Sequence, residues 1–444
     1  MTMLDETDEV GRATRIRLFT LRTPQMRAFH AAWLAFFLCF FAWFGVAPLM
    51  SVIRGELHLD KAQIGNTIIA SVAVTIVARL LVGWICDQIG PRLTYAGLLV
   101  LGSLPVMGIG LAHSYETFLL FRLGIGVIGA SFVVTQYHAT LMFAPSVVGT
   151  ANATTAGWGN LGGGVTQLVM PLVFTGLLGL GLAPASAWRV AMVLAGVLCL
   201  ACGVAYYFFT QDTPRGNLAE LRAAGVLPPR AHHKGGFARA ASDPRVWALF
   251  LIYGACFGIE LTIDNVGALY FSDHFGMGVG AAGLLASSFG LMNVFGRALG
   301  GILGDRFGRK AGLRGRVRWL FATILVEGVL LMIFSQMTVM PLAIAMLVLF
   351  GLFVQMGCGA TFAVVPFVNR EALGSVSGIV GAGGNAGAMA AGFLFKGDVA
   401  WDTALLILGV VVAVSSFAAF AVRETAPAVE APIEIAPALE QGVA

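Results

Sequence analysis

A chain of 444 residues with 58% hydrophobic and only 11% charged residues has the composition of a membrane protein and not of a soluble enzyme. The formal net charge of +4 is carried by the predicted loops, so it does not indicate a nucleic-acid partner. The six cysteines lie in apolar segments, without the spacing of a secreted disulfide framework or a metal site. We therefore expect no metal centre and no cofactor.

Taken in chain order, the sequence divides into polar and apolar parts. Residues 1–28 are rich in arginine and lack the short apolar core of a signal peptide, so they predict a retained cytoplasmic segment. Residues 29–209 hold six apolar runs long enough to cross a bilayer, a basic linker occupies 210–244, and six further runs occupy 245–423. Residues 424–444, rich in Ala, Pro and Glu, predict a disordered cytoplasmic tail. The chain is thus predicted to be an all-α polytopic membrane protein with twelve transmembrane helices in two six-helix halves.

The distribution of lysine and arginine predicts the orientation of these helices. Cations concentrate in the amino-terminal segment, in the linker and in the 306–318 connection, whereas the opposite loops hold few. Because short cytoplasmic loops carry an excess of Lys and Arg, both termini are predicted to be cytoplasmic. We expect a monomer in the inner (cytoplasmic) membrane, with the lipid bilayer as its surroundings.

One arrangement of residues occurs once in each half. Arg79 lies deep in the second apolar run and Arg297 in the eighth, and each precedes a loop motif of the same register: Gly83-x-x-x-Asp87-x-x-Gly90-x-Arg92 and Gly301-x-x-x-Asp305-x-x-Gly308-Arg309-Lys310. A guanidinium at mid-membrane depth costs about 2.5 to 3.5 kcal/mol on insertion scales, so such residues usually face a bundle interior or a cavity. Each arginine could pair with a nearby carboxylate or helix carbonyl. Two related arginines favour a shared anionic ligand.

A second duplication places an asparagine inside a glycine-rich helix of each half. The fifth run surrounds Asn160 with Gly157, Gly159, Gly162, Gly163 and Gly164, and the eleventh surrounds Asn385 with Gly381, Gly383, Gly384 and Gly387. Glycine inside a helix costs about 1 kcal/mol relative to alanine, so something must offset it. Close helix packing is one reason, and access of a ligand to the backbone with helix flexing is another. The buried amides need partners, and a neutral donor beside an arginine suits a small oxyanion.

These features together resemble a known family. Six plus six helices, a basic linker and the duplicated loop motif, with Lys310 in place of its final arginine, resemble the major facilitator superfamily of secondary transporters. That resemblance implies alternating access around a midplane site, with the loop motifs at a cytoplasmic gate. The paired Gly-Asn runs are similar to the two signatures of the nitrate/nitrite porter family. The aromatic first helix, the Lys61 to Asn66 entry to the second and Tyr253-x-x-x-Phe257 in the seventh support this resemblance.

The resemblance implies a substrate site. It places a nitrate or nitrite ion between Arg79 and Arg297, approached by Asn160, with aromatic walls at Phe132, Tyr253 and Phe257. Asn385 is the matching amide of the second half, and the glycine runs serve the conformational change. The residues agree with this assignment, because a guanidinium presents a planar fork of donors that meets two oxygens of a flat, monovalent ion.

The driving force is predicted from the seventh helix. Glu260 and Asp264 follow Tyr253 and Phe257 at the spacing of one helical face, so either carboxyl group could carry a proton, neutralise an arginine or lie in an external vestibule. Arg122 could assist proton coupling or make a structural contact. We predict a nitrate and nitrite transporter with protons as co-substrate. The alternatives are nitrate/nitrite exchange, transport of another small monovalent or organic anion such as formate or oxalate, and a transporter-like sensor or membrane enzyme. The last is disfavoured because the sequence offers no nucleophile and base pair.

Overall fold

The computed structural model describes residues 7–144, 147–225, 236–368 and 373–423. The predicted tail 424–444 and residues 226–235 of the linker lie outside the described residues. Within the described part, eleven helices are long and apolar enough to cross a membrane. This confirms the predicted all-α membrane architecture.

The first half contains six helices: α1 Pro24–Leu57, α2 Lys61–Ile89, α3 Pro91–Leu111, α4 Tyr115–Met142, α5 Val148–Gly179 and α6 Pro184–Phe209. Local sequence signals set where these helices begin. The Thr23 hydroxyl accepts from the Met26 amide at the start of α1, and Asp60 with Gln63 forms a capping box at the start of α2. Gly90, at φ 89°, ends α2 in a conformation that L side chains avoid.

The second half begins with α7 Pro244–Phe275 and ends with α10 Met340–Phe367, α11 Leu373–Lys396 and α12 Trp401–Ala421. Between them lie the 57 residues Val279–Ser335, which are helical except for interruptions that include non-helical backbone angles at Ala311 and Gly312. A straight helix of that length would measure about 85 Å, far more than the roughly 30 Å bilayer core.

The run is therefore a hairpin of two helices. Trp319 Nε1 donates to the Gly300 carbonyl at 3.0 Å, and the Phe307 and Trp319 rings stack with centroids 5.4 Å apart. These contacts bring the two arms side by side. We name them α8 (279–310) and α9 (313–335). Eleven candidate spans are found by length and composition, and the twelfth crossing stays a prediction that this division supports.

Each half packs around a corresponding helix pair, α1 against α5 and α7 against α11, and the halves meet where α2 faces α11 and α5 faces α8. We term the side of the bundle that holds the linker the linker end, and the opposite side the far end. At the far end Arg54 of α1 forms a two-pronged ion pair with Asp273 of α7, at 2.6 and 2.7 Å. Lys61 also donates to the Val399 carbonyl there. These contacts join the two halves at the far end.

Candidate functional site

Arg79 of α2 lies where the two halves meet, and only 9% of its surface is exposed. Its Nη1 donates to the Gly381 carbonyl of α11 at 3.0 Å, which is a contact between the halves. Its Nε has no hydrogen-bond partner, and no carboxylate of the described residues forms an ion pair with it. Arg79 is therefore a buried cation without a compensating anion among the described residues.

Arg297 of α8 is held differently. Its Nη2 lies 2.6 Å from Glu260 Oε2 of α7, and its Nε donates to Asn293 Oδ1 at 2.8 Å and to Gln355 Oε1 at 3.1 Å. Asn293 Nδ2 also donates to Glu260 Oε1 at 2.9 Å. All these partners belong to the second half. Glu260 thus neutralises Arg297, one of the alternatives that the sequence left open, whereas Arg79 has only a helix carbonyl.

The Phe257 ring of α7 lies beneath both guanidinium groups. Its centroid is 6.0 Å from Arg79 Cζ and 5.3 Å from Arg297 Cζ. Tyr253 stacks on Phe257 at 5.1 Å, and Phe132 of α4 lies 5.6 Å from Arg79 Cζ. The structure therefore brings together the two arginines and the three aromatic residues named from the sequence. Cation and aromatic face attract each other, which holds the guanidinium planes against the rings.

The two asparagines are both buried, and their amides are incompletely paired. Asn160 Nδ2 donates to the Ala156 carbonyl of its own helix at 2.8 Å, and its Oδ1 has no partner. Neither polar atom of Asn385 has a partner among the described residues. Asn385 follows Gly381 by one helical turn, so it lies on the α11 face that meets Arg79. Buried polar atoms are nearly always hydrogen-bonded, so these amide atoms are available to a polar ligand.

The glycine runs are close-packing surfaces. A Cβ at Gly387 would lie 2.8 Å from Gly254 Cα of α7, and one at Gly164 would lie 2.7 Å from Gly290 Cα of α8. On the same helices, Gly159 and Gly162 face α1, while Gly383 and Gly384 face Phe250 and Phe257 of α7. Gly157 is looser, with its nearest neighbour, the Asn293 carbonyl, at 3.5 Å. The packing explanation therefore applies to most of the run, and the Gly381 carbonyl shows that the backbone also reaches the site.

Asp264 lies one helical turn beyond Glu260, in the seam between the halves. Its Oδ2 would lie 2.7 Å from a Cβ at Gly163 of α5, and no described residue bonds to either carboxyl oxygen. Arg122 of α4 also crosses between the halves, donating to Asn265 Oδ1 at 3.1 Å and to the Trp43 carbonyl at 2.9 Å. These contacts favour a structural role for Arg122 over a role in proton coupling.

The two loop motifs lie at the linker end and are anchored differently. In the first, Asp212 of the linker accepts from the Arg92 amide at 2.8 Å and packs on Gly90, while Gly83 packs on α4. The side chain of Asp87 lies outside the described part. In the second motif, Asp305 pairs with Arg316, which also packs on Gly308. Gly301 faces the Gly359 carbonyl at 3.9 Å, and Lys310 lines an open cavity of about 220 Å³ with Leu303, Arg306 and Phe307.

Two polar residues of the site were missed by the sequence reasoning: Asn293 and Gln355. Asn293 precedes Arg297 by four residues, which places both on one helix face, so a signal for it was available. Gln355 of α10 meets Arg297 only through the tertiary fold. No group of three His, Cys, Asp or Glu residues in the described ranges could hold a metal ion. With Glu260 ionised, the site has a net charge of one positive, supplied by Arg79, and could balance one monovalent anion.

Comparison with known proteins places this geometry in context. A family model described as Major Facilitator Superfamily matches residues 32–366 and 265–440. High-affinity nitrate transporter 2.3 of Oryza sativa subsp. japonica is 41% identical over 389 residues, covering 86% of this chain and 74% of that protein. High affinity nitrate transporter 2.5 of Arabidopsis thaliana is 41% identical over 406 residues, covering 91% of this chain and 80% of the relative. Nitrate/nitrite transporter NrtP of Nostoc punctiforme is 30% identical over 444 residues, covering 84% and 87%.

Among solved structures, the crystal structure of a bacterial homolog to human lysosomal transporter, Spinster, in an inward-facing and unoccupied conformation has a TM-score of 0.71. The match covers 90% of this chain and 97% of that chain, at 16% sequence identity. At that identity the likeness supports the fold alone.

Proposed function

Because the chain belongs to the nitrate/nitrite porter family of the major facilitator superfamily, we propose that it carries nitrate, and also nitrite, through the membrane by alternating access. As a member of this superfamily it is a transporter and not an enzyme. The observation that carries the proposal is Arg79, a buried guanidinium whose Nε is free and which pairs with no carboxylate in the part of the chain that the structure describes. An unpaired buried charge is costly, and an anion that enters the site removes that cost.

The surroundings of Arg79 favour a thin anion. Nitrate is planar and singly charged, and its oxygens are weak acceptors that match the planar fork of a guanidinium. The Phe132 and Phe257 rings border the cation, so a ligand must fit between aromatic faces. The free amide of Asn385 supplies a further neutral donor on the same helix face. A tetrahedral anion would not match the flat space, and a divalent anion would exceed the single positive charge.

Proton coupling is proposed through Glu260. An ionised Glu260 occupies Nη2 of Arg297, so nitrate gains this donor only when Glu260 gives it up. Protonation of Glu260 removes its negative charge and weakens the pair, so proton and anion favour each other's binding. Reciprocal coupling of this kind is the thermodynamic requirement of symport. Asp264, unpartnered in the seam between the halves, is a second carboxyl group for which coupling remains a prediction.

The orientation and location are also proposed. The cationic loops at the linker end support a cytoplasmic position for both termini, in a cytoplasmic membrane. In that orientation the Arg54 to Asp273 ion pair closes the external side of the carrier. We propose that the functional unit is a monomer, since each chain contains both arginines.

The test is anion competition followed by uptake. Purified protein should bind nitrate and nitrite, and formate, oxalate or sulfate should compete weakly; tight binding of one of these instead would assign another substrate. In vesicles, nitrate uptake should need no internal nitrite and should stop when the proton gradient is collapsed. Strict dependence on internal nitrite with no effect of pH would establish exchange. Binding without any flux would indicate a sensor. Arg79→Gln should lose both binding and uptake.

A further inference from the structure

Glu327 of α9 is a buried acid that the proposed function does not use. Its side chain is 0% exposed, and neither carboxyl oxygen has a hydrogen-bond partner among the described residues. It lies well inside the helix, which spans residues 313–335. An ionised carboxylate in such a place costs several kcal/mol unless a cation pairs with it. A carboxyl group that keeps its proton avoids this cost.

The neighbours of Glu327 place it beside the substrate site. On α10, a Cβ at Gly357 would lie 3.0 Å from Glu327 Oε2 and 3.2 Å from Cys256 Cβ of α7. The next residue of α10, Cys358, has its Sγ 3.7 Å from Glu260 Oε2. Glu327 and Glu260 therefore flank the same stretch of α10, one toward α9 and the other toward Arg297.

Among the described residues, these neighbours include no cation. The titratable groups nearest to Glu327 are Cys256 and Glu260 of α7, and Cys358 of α10 contacts Glu260. From α12, the backbone of Gly409 and Ala413 packs on the adjacent Gly328. The one titratable residue in the Trp401–Ser415 helix is Asp402, in its first turn.

A metal ion would not suit this position. Sodium- or calcium-like cations take about six oxygen ligands, whereas the described neighbours of Glu327 are Gly357 and the side chains of Cys256 and Ile324. A proton is then the one cation that the site can bind. Two carboxyl groups of like charge that act on each other resist ionising together, so protonation of Glu260 lets Glu327 release its proton.

We propose that Glu327 is a second proton-binding site of the transport cycle, separate from the arginine pair. Glu327 holds its proton while Glu260 is paired with Arg297, and that ion pair is present in this structure. Once Glu260 is itself protonated, Glu327 releases its proton to water that reaches α10 from the Glu260 side. The O–H bond of the Glu327 carboxyl group breaks, and the carboxylate remains until it is reprotonated. The inference rests on the proposed proton-coupled transport.

The test is Glu327→Gln, which keeps the shape of the protonated acid and removes the proton. The matched control is Thr323→Val, one turn earlier on α9 and equally buried, whose hydroxyl bonds only its own helix. In E327Q, nitrate Kd should stay within about twofold of the unaltered protein, and nitrate counterflow should persist. The number of protons moved per nitrate, measured in vesicles with an internal pH dye, should fall by one. T323V should keep the original ratio. An unchanged ratio in E327Q would mean a permanently neutral structural acid and would overturn the proposal.

Infrared difference spectroscopy gives a second measurement that does not require transport. The unaltered protein should show the carbonyl band of a protonated carboxyl group that changes when nitrate is added, and E327Q should lack this band. If E327Q fails to fold, Glu327→Asp, which keeps a titratable group, should shift the band; an unshifted band would contradict the assignment. Should the unaltered protein bind no nitrate at all, the proposed function fails, while a pH-dependent carboxyl band assigned by these variants still decides whether Glu327 exchanges its proton.

Discussion

Arg79→Lys separates the geometry of the proposed anion ligand from its charge. Lysine keeps the positive charge on a flexible stem but replaces the planar fork by a compact ammonium group. In the structure Arg79 has one bond to the Gly381 carbonyl and a free Nε, so at least one donor is available to a ligand. A hydrogen bond to a charged group contributes about 1.5 to 3 kcal/mol. Loss of one such bond predicts nitrate binding about 10- to 150-fold weaker, since 1.4 kcal/mol is a factor of ten.

The assay is nitrate titration of the purified protein at fixed pH and ionic strength, with the thermal unfolding midpoint measured in parallel. Arg92→Lys is the matched control, because Arg92 lies at the linker end and donates to the Tyr207 carbonyl, away from the site. R92K should bind nitrate as the unaltered protein does. If R79K bound nitrate within twofold of the unaltered protein while remaining folded, the planar fork would not be the basis of recognition and the reasoning would fail.

Three further predictions concern coupling, the far end and the glycine seam. In the unaltered protein nitrate affinity should rise as pH falls, whereas Glu260→Gln, which resembles the protonated acid, should bind nitrate with little pH dependence. A pH-independent nitrate Kd in the unaltered protein would exclude proton coupling through Glu260. Asp273→Asn should weaken closure of the far end by up to about 1 kcal/mol, because its ion pair with Arg54 is partly exposed. Spin-label distances across that end should lengthen, and unchanged distances would show that this ion pair does not hold the far end closed. Gly387→Ala would force a Cβ against the α7 backbone and should destabilise the fold by about 1 to 3 kcal/mol, whereas Gly97→Ala, which has open space, should not; equal thermal midpoints for the two variants would show that this seam tolerates a side chain.

Much of the fold and part of the site follow from sequence patterns. Apolar runs of membrane-spanning length predict helices because the bilayer requires every backbone group to be bonded within its own segment. The duplicated register identified Arg79 and Arg297, and spacings of four and three residues on α7 placed Tyr253, Phe257 and Glu260 on one face. These are properties of a single helix or of a repeat, so they can be read without knowing which helices touch.

The partners of each arginine could not be read in that way. Helical spacing puts Glu260 and Asp264 on one face, yet Glu260 meets Arg297 while Asp264 packs against Gly163 of α5. The difference arises because α5 crosses α7 one turn beyond the site, which is a property of packing between the halves. Glu327 gave no periodic signal for a similar reason: its importance depends on the glycine that α10 presents to it.

The bond from Arg79 to the Gly381 carbonyl has a consequence for the movement of the carrier, because it ties α2 of one half to α11 of the other. A ligand that accepts from Arg79 Nη1 in place of Gly381 also breaks this bond between the halves. The unloaded protein must break the same bond with nothing to replace it, which adds to the barrier for its return. The bound anion would thus free the two halves to move, and the Arg79 guanidinium would disfavour the same movement in the absence of substrate.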